Sequence, residues 1–329
     1  ATQHGYYFLN SSAAFWATGK DGKGGLGHQA GRKQAYFAAP PVDQYNNLRS
    51  KLSNVLRSTG LETELHHHEV AAAGQCEIGF RFGPLLLQAD AAIKYKYVVK
   101  NVVDRYGKTA TFMPKPLLQE NGSGMHMNLS LWQGGKNRFY SEGGYADLSE
   151  FAIHFIGGLL RHARALCAIC APTTNSYRRL VPGYEAPMNL MFSSRNRSAC
   201  VRVPVAGASA KTKRIEFRTP DPSCNPYLGF AAVLMAGLDG VRNRIDPPPP
   251  VDEDIYQLAG TERGRSIEST PASLEEAVRA LEDDHEFLLQ DDVFTADVIE
   301  AWIEHKREQE IDFIRLRPHP GEFSLYFNV

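Results

Sequence analysis

The sequence predicts an α+β fold in which an antiparallel sheet is covered by helices on one side. Strand-like segments come in adjacent runs between long helices rather than in regular alternation with them, which disfavours a doubly wound parallel sheet. Three of these segments also alternate apolar and polar residues with a period of two, the pattern of a strand with one buried face. In chain order, residues 1–35 read as a loop-rich lead-in, with six glycines between Gly19 and Gly31. A helix is predicted over Val42–Leu56, where Tyr45, Leu48, Leu52, Val55 and Leu56 share one face and Gly60 supplies the stop. Leu61–Glu69 and Gln75–Phe82 read as a hairpin of two strands, followed by a helix over Leu86–Tyr106 that Gly107 ends. Between Thr109 and Trp132 the period returns to two, and Leu148–Cys170 returns to helix. Ala199–Val203 and Arg214–Arg218 are strand-like, and Asn225–Arg244 is an apolar helix. The prolines at 247–250 close this central part, residues 36–246, and open a peripheral region, 247–329, with a polar stretch and three shorter helices.

Composition bounds the function classes. With 36 Lys and Arg against 37 Asp and Glu, no overall field steers the chain towards nucleic acid or an acidic membrane. No apolar run reaches the roughly 18 residues of a membrane span, and no secretory pattern opens the chain, so a cytoplasmic location is the expectation. Five scattered cysteines suit reduced thiols rather than a disulfide framework. Cys167 and Cys170, although spaced C-x-x-C, sit in the apolar stretch Ala165–Cys170 and read as core.

Chemistry concentrates on the polar faces of three strands. Gln75, Glu77, Gly79 and Arg81 alternate with apolar residues, as do His126, Asn128 and Ser130, and again Arg214, Glu216 and Arg218. A solvated face explains any one strand taken alone. Together the faces present Glu, His, Asn and Arg, groups that hold metals and phosphates. Glu69 ends one hairpin strand and Glu77 lies on its partner, so two carboxylates converge. With one imidazole, His126, they make a hard oxygen-rich site suited to Mg²⁺ or Mn²⁺. His66, His67 and His68 alternate faces; at most His66 and His68 point the same way, which argues against a zinc cage from this run. Arg178, Arg179, Arg195, Arg197, Arg202, Lys211, Arg214 and Arg218 form a second concentration in a chain of nearly zero net charge. Arginine near a divalent metal is recurring equipment of phosphoryl transfer. Interleaved carboxylates would repel a nucleic-acid backbone. Residues alone thus reach a metal-assisted phosphoryl-transfer enzyme without naming its substrate.

Longer motifs carry a resemblance. Glu64 to Glu69 with Ala73 to Glu77, Lys115-Pro116, Asn121 to His126, Asn175 to Pro187, Arg195-Asn196-Arg197 and Arg214 to Arg218 resemble the bacterial glutamine synthetase family, in the family's order, from about Tyr36 to Val329. The resemblance implies one catalytic domain over residues 1–329, with a curved, mainly antiparallel sheet of the glutamine synthetase and guanido kinase type. It implies ATP, two or three Mg²⁺ or Mn²⁺ ions, glutamate and ammonium as ligands, and ligation through γ-glutamyl phosphate. By resemblance Glu69 and Glu77 hold one metal, and His126 with Glu216 the other. Arg179, Arg197 and Arg218 clamp glutamate and the phosphoryl group, and Asn121 with Gly122 grips the amino-acid end. Glu185 closes over the intermediate and takes a proton from ammonium, beside Tyr36. Glu64, Phe82, Ser130, Arg202, Lys211 and Arg214 contact the nucleotide, Phe82 as its adenine platform.

Against the family's pattern, the small N-terminal β-grasp domain and a strand bearing two further metal carboxylates are expected to be missing, leaving a fragment of impaired activity. Asn128 stands where many bacterial members have histidine, and Tyr256 aligns with a tyrosine that some members adenylylate. The resemblance further implies a homododecameric parent with sites between subunits. Alternatives are a γ-glutamyl-polyamine or amine ligase and a non-catalytic scaffold. Glu185 and Tyr36 suit a small cationic nucleophile and favour ammonia over a larger amine.

Overall fold

The computed structural model describes residues 2–9, 30–182, 184, 186–205, 209–253, 255–258 and 261–329; for 2–9, 256 and 257 it describes the backbone alone. Ten strands are described: β1 Thr2–Leu9, β2 Thr63–His68, β3 Gln75–Phe80, β4 Thr109–Thr111, β5 Met125–Leu129, β6 Trp132–Gln133, β7 Lys136–Asn137, β8 Asn189–Ser193, β9 Ala199–Arg202 and β10 Ile215–Phe217. Eight form one sheet in the order β2-β3-β1-β5-β10-β9-β8, with β4 also paired to β1. Its ladders are antiparallel except β8 with β9, so the expected α+β architecture is what the chain adopts.

The period-two pattern explains which side the helices cover. Cys76, Ile78 and Phe80 on β3, Met125 and Met127 on β5, and Ile215 and Phe217 on β10 are all buried. Against them pack α1 Asn46–Ser58 and α2 Leu85–Asp104, then α3 Glu150–Arg161, α4 Ala163–Cys170 and α5 Pro226–Arg242. The alternate residues Glu77, His126 and Glu216 are left to the other face. All five cysteines are buried and unbridged, as a core reading expects.

The lead-in is not loop alone. β1 lies in the middle of the sheet, between β3 and β5, although its polar start and Gly5 give no two-residue apolar period. Its register sets Gly5 opposite Glu77 and Gln3 opposite His126, and the strand contains no Asp or Glu.

The predicted helix over Leu148–Cys170 is also broken, into α3 and α4 with a bend of 71°. The break falls at His162, whose Nε2 lies 3.1 Å from Asp239 Oδ2 and whose Nδ1 lies 2.8 Å from Asp284 Oδ2. Its ring stacks on Phe287 at 4.0 Å. These tertiary contacts override a local pattern that reads as continuous helix. No single helix among the described residues is long and apolar enough to cross a membrane.

Where α3 crosses α5, backbones meet without side chains between them. A Cβ on Gly158 would lie 2.1 Å from the carbonyl oxygen of Ala236. Gly158→Ala is therefore expected to destabilise the protein by roughly 1–3 kcal/mol, read as a lower urea midpoint with unchanged slope.

Candidate active site

The polar face of the sheet lines a cavity of about 320 Å³. Its walls include Glu69, Glu77, His126 and Glu216, the arginines 179, 197, 202 and 218, and Asn121, Gly122 and Tyr36. Strands β3, β5, β9 and β10, the short helix Ser176–Arg179 and the loops around them thus bring these residues to one place from across more than half the chain.

On one side, the β2–β3 hairpin sets His67 opposite Glu77. His67 Nε2 is 3.3 Å from Glu77 Oε1, and its Nδ1 is 3.8 Å from Glu69 Oε1. These three residues each offer a ligand atom within 4.8 Å of the others. Burial, then the neighbouring Glu77 charge, pushes the Glu69 pKa up to about 7. Burial works against a charged His67, but the hydrogen bond and charge of Glu77 outweigh it and raise its pKa. Two carboxylates crowded at a part-buried spot repel each other without a cation, and oxygen donors of this kind fit Mg²⁺ or Mn²⁺. His67 was missed from sequence. Strand alternation, which puts His66 and His68 on one face, puts residue 67 on the face of residue 69. His66 instead meets Ser50 and Arg49, and His68 is buried.

Across β1, His126 Nδ1 lies 3.1 Å from Glu216 Oε1. Glu216 is only 2 % exposed. It accepts from Arg202 Nη1 at 2.7 Å and from Arg218 Nη1 at 3.0 Å. Burial raises its pKa, but the His126 hydrogen bond and the charges of His126, Arg218 and Arg202 overcome this and hold the carboxyl well below its ordinary range. Burial, then the Arg218 charge, pushes the His126 pKa down.

The arginines are fixed by carbonyls as well as carboxylates. Arg179 donates to the oxygens of Thr219 and Arg218 at 2.8 and 3.0 Å, and Arg218 Nε donates to Arg197 O at 3.0 Å. Burial lowers the Arg179 pKa to about 10, so it stays cationic at neutral pH. Arg197 lies over the Tyr36 ring at 5.9 Å. Gly122 and Gly124 let the loop before β5 run against Arg179: a Cβ on Gly124 would lie 2.7 Å from His126 Nε2 and 2.8 Å from Arg179 Nη2. Gln75 Nε2 ties the same loop down, donating to Gly122 O at 3.0 Å.

A second, more apolar cavity of about 640 Å³ lies between β5 and the helices, lined by Phe82, Leu129, Ser130, Trp132, Lys211 and Phe230 among others. Phe82 is 65 % exposed, a large ring with open space beside it. Arg214 stands one residue back, donating Nε to Asn128 Oδ1 at 3.1 Å, and Asn128 lines this cavity. Glu64 is exposed on β2 and lines neither cavity. Arg202, expected at the nucleotide, belongs to the first cavity through Glu216. Glu185 lies outside the described residues, as does the side chain of Tyr256.

Residues 4–326 match the sequence model of the family described as glutamine synthetase, catalytic domain. The glutamine synthetase of Frankia alni is 56 % identical over 324 residues, covering 98 % of this chain and 68 % of that protein. That of Streptomyces filamentosus is 53 % identical over 98 % of this chain and 69 % of that protein. Among solved structures, a cryo-EM structure of Plasmodium falciparum glutamine synthetase superposes with a TM-score of 0.88 at 28 % identity, over 99 % of this chain and 74 % of that one. A GmaS/ADP complex superposes with a TM-score of 0.82 at 31 % identity, over 100 % and 73 %.

Proposed function

The chain belongs to the glutamine synthetase family, and on that premise we propose that its carboxylate-and-arginine cavity joins ammonia to the side chain of glutamate, with ATP as phosphoryl donor. The observation that carries the reading is the convergence of two acid–imidazole groups and four arginines on one small cavity, with a separate, more apolar cavity also lined from β5. The first suits a charged amino acid and phosphates; the second suits a planar base. A neighbour solved as an ADP complex supports the nucleotide.

In the reaction, a γ-carboxylate oxygen of glutamate attacks the γ-phosphorus of ATP and the bond to the ADP oxygen breaks. Ammonia then attacks the acyl carbon of γ-glutamyl phosphate, and phosphate leaves with the attacking oxygen. Glu69 and Glu77, joined by His67, would hold one divalent cation, and His126 with Glu216 a second. When bound, such ions offset the charge gathering on the transferred phosphoryl group. Arg179, Arg197 and Arg218 hold the carboxylates and the phosphoryl oxygens through planar guanidinium forks. Asn121 and Gly122 orient the amino-acid end, and Tyr36 walls the ammonium side. Glu185 attracts ammonium, which neutral water does not mimic, and removes one proton to yield the nucleophile. Lys211, Ser130 and Arg214 lie towards the nucleotide, with Phe82 under its base. Assembly into a dodecamer and a cytoplasmic location complete the proposal.

The test is a coupled assay of ADP release with glutamate, ATP and Mg²⁺. Ammonium should stimulate release, and Arg197→Ala should lower it by about a hundredfold. Turnover with a polyamine but not ammonium would replace the substrate; silence with every amine would favour a scaffold. Phe82→Ala is expected to weaken ADP binding by about tenfold in calorimetry, the loss of one stacking face.

A further inference from the structure

Lys115, in the Lys115-Pro116 motif, has no part in the mechanism above, yet both its backbone and its ammonium are tied to segments that line the cavity. Its backbone N–H donates to Asn175 Oδ1 at 2.8 Å, and Asn175 Nδ2 returns a hydrogen bond to Lys115 O at 3.0 Å. Asn175 directly precedes the short helix Ser176–Arg179, which carries Arg179 to the cavity. The Lys115 ammonium donates to Glu120 O, next to Asn121. The same ammonium sits 3.7 Å from the centre of the Tyr184 ring, and Lys33 Nζ sits 4.1 Å from that centre. Tyr184 and Ala186 are cavity-lining residues. Three loops, those of Lys33 and Tyr36, of Lys115 and Asn121, and of Tyr184, therefore meet on one aromatic ring.

We propose that Lys115, seconded by Lys33, is a positioning residue: the two ammonium groups dock the Tyr184 ring and so fix the wall it gives to the cavity, on the same side as Asn121 and Arg179. An ammonium against an aromatic face is attracted by the ring quadrupole, and the attraction strengthens where water is partly excluded. The contact needs a cation and a ring; it does not need the tyrosine hydroxyl. The consequence for ligation rests on the reading of the cavity given above, whereas the docking itself does not.

Hydrogen–deuterium exchange of the segment around Tyr184 separates the two. In the full chain, Lys115→Met and Tyr184→Leu should each speed exchange there by about tenfold, with exchange of α2 unaltered. Lys115→Arg and Tyr184→Phe should retain the protection within about twofold, since each keeps one partner of the contact. Steady-state assays of Lys115→Met should show a raised KM for glutamate with a smaller change in kcat. Equal exchange in Tyr184→Phe and Tyr184→Leu would overturn the docking, as would wild-type protection in Lys115→Met. Should Lys115→Met unfold, the two Tyr184 variants still decide it. Faster exchange with an unaltered KM would overturn the positioning role. A wild-type chain with no turnover but the predicted exchange pattern would instead count against the ligase reading.

Discussion

Glu77→Ala is expected to abolish the stabilisation that Mg²⁺ or Mn²⁺ gives the protein and to lower ADP release by about a hundredfold or more. Glu77 faces His67 at 3.3 Å and crowds Glu69, whose pKa stands near 7 from burial and that neighbouring charge. A cation at about one hundred times its dissociation constant stabilises by about 2.7 kcal/mol, so the wild-type melting temperature should rise by several degrees on adding metal. The variant should show no such rise. The pH dependence has a definite sign. Glu69 has a folded pKa above its unfolded value, so its favourable contribution is present below about 4.5 and is lost as pH rises through about 7. Metal-free wild-type protein should therefore lose stability over that window, and Glu77→Ala should lose less, because the repelling charge is gone. Melting curves at pH 5 and pH 8, with and without Mn²⁺, measure all four quantities.

Glu216→Ala should be the most destabilising of the cavity substitutions. The carboxylate is 2 % exposed and answers Arg202, Arg218 and His126 at once. Removing it leaves the Arg218 charge buried without its partner, which typically costs about 3–5 kcal/mol. Here the folded pKa lies below the unfolded one, so the contribution is present above about pH 4.5 and fades as pH falls through the low folded value. Urea denaturation should show a large wild-type-to-variant gap at pH 7 that narrows in acid. Glu216→Gln should fall between the two, keeping one hydrogen bond without the charge.

Much of this site is legible in the chain because strands alternate. On β3, β5 and β10 the rule that buries Ile78, Met127 and Phe217 also sends Glu77, His126 and Glu216 to the opposite face together. His67 is legible by the same rule, which sets it opposite Glu77 and on the face of Glu69, away from His66 and His68. β1 was not legible: Gln3, His4 and Gly5 show no apolar period, and only pairing with β3 and β5 holds them extended. The break at His162 depends on Asp239, Asp284 and Phe287, all at least 77 residues away in sequence, and no local pattern records it. The contacts of Lys115 with Asn175 and Tyr184 are likewise products of folding.

The proposed reaction passes phosphate to the side chain of glutamate before ammonia displaces it. It is tested most directly with glutamate carrying ¹⁸O in its γ-carboxylate, under single-turnover conditions with protein in excess over ATP. The reaction derived above requires the attacking oxygen to leave with phosphorus, so the inorganic phosphate formed with ammonium should carry one ¹⁸O. Unlabelled phosphate accompanying ADP would mean that water, not the glutamate carboxylate, receives the phosphoryl group, and would rule out γ-glutamyl phosphate as the intermediate.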